Sequence, residues 1–596
     1  MFDGSGPGRG GSRDQRNLLL AIVLSVAILF GSQMLFGPFI PEPSEQPAPA
    51  DQAAGTATVP GVGAPALPGE PAAPPIDPEV ARQTSLEDTP RIPIETGLQG
   101  PISGSISLLG ARFDDVVLNG YRETVEKDSP NITLLTPRGA PRAYFADFGW
   151  SGDGTAKVAL PGADTLWRAS GRALSPETPL TLSWDNGEGL AFSRRIEIDD
   201  EGLFTITQRV RNTGTSSVTL FPYGRISRDD PPETDVRVGM YVHEGPIAVR
   251  NGELVEAEYE DLREDGPTEV KSEGGGWIGI KDLYWVVALI PDQSTPLAMG
   301  FLYDESYQDG QRYWVHYLDE RGHEIAPGGS VEVVSHMYAG AKERRVLVDI
   351  MEDLGVERFD MAIDYTRIWF LTIPLHVAIL YLEDLLGHYG LAILALTVVV
   401  KLIFFPLANK SYKAMSKMKG LAPKMKELKE KYSDGTADSK LQLNKEMMAL
   451  YKREKANPLA GCLPMLVQIP VFISLFIVFY VTIEMRHAPF FGWILDMSAR
   501  DPTSMFNLFG LLPFTPPEFL LIGVWPLIMG GTMYLQQKLN PAPPDPIQAK
   551  VMMMLPFIFT FLFATFPAGL VIYWAWNNVL SIAQQYVIMR RMGVKI

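Results

Sequence analysis

Residues 389–407 read Tyr-Gly-Leu-Ala-Ile-Leu-Ala-Leu-Thr-Val-Val-Val-Lys-Leu-Ile-Phe-Phe-Pro-Leu, nineteen positions with a single charge, Lys401. At 1.5 Å per residue such a helix reaches roughly 28 Å, enough to cross the hydrocarbon core of a bilayer. Comparable runs occupy residues 18–36, 462–483, 519–535, 551–566 and 570–589, so the sequence predicts six spans. Residues 361–386 are also apolar, but Asp364, Arg367, Pro374, His376, Glu383 and Asp384 interrupt them and leave only 368–382 nearly uncharged. Fifteen residues are short for a span, and 351–388 is read as an interfacial amphipathic helix.

Topology follows from basic residues, which concentrate in short cytoplasmic loops. Residues 408–460 hold 13 Lys and Arg, whereas 485–518 holds only Arg486 and Arg500. Six spans put the basic loop, the amino terminus (1–17) and the short basic tail (591–596) on the cytoplasmic side. A seventh span at 361–386 would export the basic loop, which independently assigns that segment to the interface. Within the loop, Met415, Met418, Leu421, Met425, Leu428 and Tyr432 recur at spacings of three and four. After Ser433-Asp-Gly-Thr the stripe resumes at Leu441, Met447, Met448 and Tyr451, predicting two antiparallel helices. The stripe either closes the hairpin on itself or offers a Met-rich docking surface.

The 596 residues are unevenly charged: 1–350 carry 29 Lys and Arg against 51 Asp and Glu, and the remainder is slightly basic. Residues 1–36 read as the amino terminus and an uncleaved anchor rather than a cleavable signal peptide, because Gln33-Met34-Leu35-Phe36 offers no small-residue site, and 37–90, with 13 prolines, read as an extended linker. From 91 to 350 the apolar period becomes two, as in Leu180, Leu182 and Trp184 before Asp185-Asn186-Gly187, predicting a large antiparallel β-sandwich. Its aromatic stretch at 277–285 fits buried sheet better than an open cleft. The single cysteine, Cys462, excludes an internal disulfide and a Cys-based zinc site; the seven histidines show no HExxH spacing, and no GxxxxGK[ST] loop occurs. No cofactor is predicted.

Charged and polar residues inside spans are costly and point to function. Lys401 lies near the cytoplasmic end of its span, where it could snorkel. Thr397, Gln468, Ser474, Thr532, Asn577, Asn578, Ser581, Gln584 and Gln585 also lie within or at the ends of spans. Each alone could be interhelical glue, but a water-filled cavity with Lys401 would satisfy them together.

Asn457-Pro-Leu-Ala-Gly461-Cys462-Leu-Pro464-Met-Leu-Val-Gln468-Ile-Pro470, then Asp545-Pro546-Ile-Gln548, then Phe566-Pro-Ala-Gly569 with Tyr573-Trp574, Asn577-Asn578 and Gln584-Gln585 resemble the YidC family of membrane protein insertases. The anchor, linker and β-domain, with Gly275-Gly276-Trp277 and Tyr284, resemble its Gram-negative branch, implying a periplasmic β-supersandwich. The resemblance implies an insertase core over 389–590 whose five helices enclose a hydrophilic groove. Family members usually place an arginine where this chain has Lys401; Thr397 matches a groove threonine, and Tyr573 and Trp574 a paired aromatic position. With Gln468, Asn577 and Asn578 these form the candidate substrate groove. Lys413, Lys417, Lys424 and Lys426 are the candidate hairpin contacts to the ribosome or targeting factors.

The resemblance further implies a non-enzymatic insertase and chaperone of the bacterial inner membrane, with nascent membrane proteins, the Sec translocon and membrane lipids as partners. A secondary transporter is the alternative, but neither internal repeats nor a midplane carboxylate is evident. A membrane-tethered carbohydrate-binding β-domain is another, for which six polar-lined spans are excessive.

Overall fold

The computed structural model describes residues 78–591 apart from 98–99, 153–157, 233–241, 306, 308–309, 367, 433–435, 455–462, 513, 515, 518–519 and 540–545. The first apolar run, the linker up to residue 77, the Asn457 to Cys462 motif, Asp545 and the tail beyond Arg591 lie outside the described residues. Two compact units meet in sequence between Ala362 and Ile363.

The first unit opens with a helix where an extended linker was expected: α1 (Pro78–Glu87). Pro78 at the first helical position lacks an N–H that would be unsatisfied anyway, and no further proline follows until Pro90. Arg82 fixes the helix through Glu79 at 2.9 Å and through Asp115.

Nineteen strands follow among the described residues. One sheet runs β1 (Arg91–Glu95), β2 (Ile102–Ser107), β3 (Arg112–Arg122), β5 (Tyr144–Gly152), β10 (Val218–Asp229), β17 (Arg312–Asp319), β16 (Leu297–Tyr303), β13 (Thr268–Ser272), with β4 (Asn131–Leu135) on β3 and β18 (His323–Ile325) on β10. The other runs β12 (Glu253–Glu256), β11 (Gly245–Arg250), β14 (Trp277–Lys281), β15 (Trp285–Ile290), β19 (Ser330–Ala341), β9 (Leu203–Asn212), β8 (Leu190–Ile198), β7 (Leu180–Asp185), β6 (Arg168–Ser170). The period-two pattern places Leu190, Phe192, Ile196 and Ile198 of β8 inside. The Asp185-Asn186-Gly187 turn holds because Gly187 takes φ +71° and Asn186 Oδ1 accepts from the backbone of Glu188 and Leu190 at 2.8 and 2.9 Å. Phe113 of β3 packs edge-on against Phe148 of its own sheet and Phe204 of the other, at 5.8 and 5.2 Å, so one core serves both sheets. Trp277 is fully buried in that sheet, as its strand predicts. Two further helices, α2 (Tyr259–Glu264) and α3 (Arg344–Leu354), complete the unit.

The second unit is helical: α4 (Trp369–Leu386), α5 (Tyr389–Ile403), α6 (Phe405–Lys431), α7 (Ala437–Arg453), α8 (Leu463–Val481), α9 (Val524–Leu539), α10 (Pro546–Phe563) and α11 (Ala568–Arg591). Among the described residues only α4 is by itself long and apolar enough to cross a membrane. Its uncovered face carries Phe370, Tyr381 and Leu385. Buried His376 holds its inner face, with Tyr365 Oη at 3.0 Å from Nδ1 and Thr482 Oγ1 at 3.5 Å from Nε2.

The expected span at 389–407 is instead bent by 63° between Tyr389–Ile403 and Phe405–Ala414. Pro406 has no N–H to offer the Leu402 carbonyl, so the ladder breaks and α6 starts afresh. On the periplasm-predicted side, His388 Nδ1 caps α5 by accepting from Gly390 N at 3.0 Å. The span expected at 519–535 begins only at Val524, after an irregular segment held by the Ser504 hydroxyl donating to Leu520 O at 2.9 Å. Between α9 and α10 a Cβ at Gly530 would collide with Thr560 Oγ1, whereas one at Gly531 would meet nothing within 4 Å.

Helices α6 and α7 form the hairpin. Its small core is Leu421 against Leu450, flanked by Met418, Met425 and Leu428. Leu450 takes the place expected for Met448, which is exposed. Lys424 closes the pair onto Glu454 at 2.8 Å and holds that carboxyl below its usual range.

Candidate functional site

Helices α5 and α11 run side by side. Trp576 Nε1 donates to Leu394 O at 3.2 Å; farther along both helices, Lys401 Nζ donates to Ser581 Oγ at 2.7 Å. The two helices therefore run in the same direction.

Ser581 in turn donates to Asn577 O, one turn back, at 2.7 Å, and Gln468 of α8 donates to Asn577 Oδ1 at 3.1 Å. Spacing of four along α11 puts Tyr573, Asn577 and Ser581 on one face. Three helices thus meet through Lys401, Ser581, Asn577 and Gln468. Among the described residues Lys401 has no carboxylate partner. Its neighbours Leu402 and Ile403 turn outward and are two-thirds exposed, so the cation sits on the inner face of α5 while apolar side chains cover the outer face.

The remaining predicted residues divide around this chain. Tyr573 is buried and its ring lies 5.9 Å from Phe479. Trp574 points to another face, with Phe472 at 4.4 Å and Phe563 at 4.7 Å in an aromatic wall between α8, α10 and α11. Asn578 also faces away, donating to Thr532 Oγ1 of α9 at 3.3 Å. Thr397 is buried one turn before Lys401, but its hydroxyl donates to Ile393 O of its own helix at 2.7 Å. The structure therefore joins Lys401, Gln468 and Asn577, sets Tyr573 beside them, and assigns Trp574 and Asn578 to the packing of neighbouring helices.

Ser581, read in the sequence only as one more polar residue of a span, is the direct acceptor for Lys401. Its spacing from Asn577 was the available signal. In the hairpin, Lys413 and Lys417 are exposed, Lys426 is exposed with Glu430 at 3.8 Å, and Lys424 is engaged with Glu454. No group of three or more His, Cys, Asp or Glu among the described residues could hold a metal. The arrangement offers a positive charge together with amide and hydroxyl groups.

Two family models match the chain: one described as the 60Kd inner membrane protein over residues 381–595, the other as the YidC periplasmic domain over 91–378. A protein of Beijerinckia indica subsp. indica named membrane protein insertase YidC is 46% identical over 602 residues, 98% of this chain and 97% of that protein. Another of the same name from Methylobacterium nodulans is 45% identical over 606 residues, covering 98% and 96%. A crystal structure of an active YidC insertase with its first transmembrane domain resolved aligns with 84% of this chain and 94% of its own, at 17% identity and a TM-score of 0.35.

Proposed function

This chain belongs to the YidC family and is a membrane protein insertase with a periplasmic β-rich domain and a helical C-terminal region; from that premise we propose that substrates pass along a hydrophilic groove centred on Lys401. The single observation that carries this reading is the Lys401–Ser581–Asn577–Gln468 chain, a cation held by neutral groups rather than neutralised by a carboxylate. A wet groove spares the polar tail of a substrate much of its desolvation cost, and burial of the apolar helix in lipid supplies the driving force. Two unit charges 4 Å apart attract by about 4 kcal/mol at an effective dielectric near 20, before solvation is subtracted.

In this reading six spans hold the chain in the bacterial inner membrane, five of them forming the core, with both termini cytoplasmic and 351–388 at the interface. The β-rich domain is a supersandwich. The hairpin lysines meet the ribosome or targeting factors, and the core acts alone or beside the Sec translocon, releasing substrates into lipid. No covalent step is involved.

The test is insertion of one substrate carrying an acidic, neutral or basic translocated tail. Lys401→Arg should retain activity, Lys401→Ala should impair acidic tails most, and Lys401→Glu should be worst for them. Equal loss across the three tails would reject charge attraction and leave the insertase assignment standing.

A further inference from the structure

The β-rich unit holds a cavity of about 210 Å³ whose wall includes Arg112, Arg138, Arg194, Arg225 and Arg312 with one carboxylate, Asp147. Its floor is the outer face of the ten-stranded sheet, where register sets Phe145, Ser227 and Trp314 in one row and Asp147, Arg225 and His316 in the next. Outer-face side chains of a sandwich are ordinarily wet, yet Phe145, Asp147 and Ser227 are all buried. The cover is the 161–167 segment, pinned by Gly110 N donating to Thr165 O at 2.7 Å and Trp167 N to Leu108 O at 2.9 Å.

Charge accounting within the cavity leaves a surplus. Arg225 is matched by Asp147 at 3.0 Å, and Arg312 by Asp229 at 2.6 Å. Arg112, Arg138 and Arg194 form no ion pair among the described residues. Arg194 is the most costly. It stands on the core-facing side of β8, opposite Leu182 and Gln208, and reaches across the sandwich to the carbonyls of Ala111, at 2.8 Å, and Phe148. Burial holds its guanidinium down to about 10, and burial lowers Arg112 as well, with Asp114, Asp147 and Asp164 opposing the shift and Arg138 adding to it. Both remain cations at neutral pH.

A purely structural role accounts for Arg194, which ties two sheets together through carbonyls. It accounts only in part for Arg112, which donates to Leu109 O at 3.3 Å and feels the attraction of Asp114, Asp147 and Asp164 without an ion pair to any of them, and not at all for Arg138, a second cation beside it that forms no ion pair among the described residues. Residues 1–350 carry 29 basic against 51 acidic groups, so the cavity also inverts the charge of the region that contains it. A concave site lined by one sign of charge with low-dielectric walls concentrates the opposite sign.

Aromatic rings complete the lining, with Arg225 4.9 Å above Trp314, Arg112 5.6 Å from Phe145 and Arg194 5.2 Å from Trp167. The rings hold these three guanidinium groups in place, a preorganisation that favours recognition of a carboxylate or phosphate. The volume is below the roughly 300–1,000 Å³ of drug-sized sites, which restricts the occupant to one small molecule. We propose that this pocket binds a small anion, a carboxylate or phosphate monoester on a body no larger than one sugar ring.

Calorimetric titration of the full chain in phosphatidylcholine nanodiscs would use glucuronate, glucose 6-phosphate and neutral glucose. Saturable binding of at least one anion, weakening with added salt and absent for glucose, is the expected result; which anion binds identifies the acidic group. Arg138→Gln, at an exposed position, and Arg112→Gln should each weaken binding by roughly tenfold or more, the scale of one lost charge-assisted bond. Arg209→Gln, on the other sheet, should leave it unchanged. The proposal is overturned if neither anion gives saturable heat, if glucose binds equally well, or if binding survives both substitutions in protein whose melting is unaltered.

Discussion

The ammonium of Lys401 and the hydroxyl of Ser581 lie 2.7 Å apart across two helices that share a direction. A neutral acceptor leaves the positive charge available to a third group. Ser581→Ala should therefore disturb insertion only mildly, because water can replace one neutral hydrogen bond worth about 0.5–1.5 kcal/mol. Ser581→Asp should act differently: a carboxylate there would neutralise Lys401 and reproduce the Lys401→Ala defect on acidic tails. Unimpaired acidic tails in a folded Ser581→Asp variant would show that the Lys401 charge is not used.

Topology is open to direct labelling, since Cys462 is the sole cysteine. In a Cys462→Ser background, Lys426→Cys should resist a membrane-impermeant thiol reagent in intact cells, while Ala499→Cys should react. The reverse pattern would invert the proposed orientation of the hairpin.

The hairpin separates packing from charge. Leu421→Ala should cost about 2 kcal/mol, the low end for a buried leucine, because its core contains few residues. Helix loss would be read by hydrogen exchange across 405–453. Joint neutralisation of Lys413, Lys417 and Lys426 should leave exchange unchanged yet weaken ribosome association and flatten its salt dependence. Neutralising Lys424 as well adds loss of the Glu454 pair, an exposed and solvent-screened contact. An unaltered salt slope would mean that the lysines only solvate the hairpin.

The β-rich domain carries a pH term of known sign. Burial lowers His316, further lowered by Arg225, and burial likewise lowers His336. The unfolded chain, titrating near 6.5, binds more protons than the fold between the depressed folded values and 6.5. This contribution to stability is complete above that pH and is lost as pH falls through the window. The double variant His316→Gln, His336→Gln should therefore lose less melting temperature than the parent between pH 7.5 and pH 5, roughly the interval over which histidine charge changes. Equal losses would mean that these rings do not set the slope.

Apolar runs and basic loops were legible because both are local in sequence. The period-two strands were legible for the same reason, as was Lys401, the single charge in its run. Features that depend on pairing between distant residues were not. The break at Phe404 was visible only as Pro406, which also fits the end of a span. Helix α1 was hidden by the prolines around it, and Leu450 by methionines of similar spacing. Ser581 gained meaning only when α5 set Lys401 against it. The cavity arginines, spread from Arg112 to Arg312, share a face only through strand register and a covering loop.

Gly530 and Gly531 are adjacent in the chain, share a helix and have opposite latitude to vary. At 530 the missing side chain is what lets α9 and α10 approach, since any Cβ would strike Thr560 Oγ1. At 531 the space is open, and alanine would gain up to about 1 kcal/mol of helix propensity. Drift in this protein should accordingly pass through 531 and stop at 530: in a saturation library selected for insertion, replacements should accumulate at the second glycine and be purged from the first. Equal tolerance at both would mean that the two helices can part without loss.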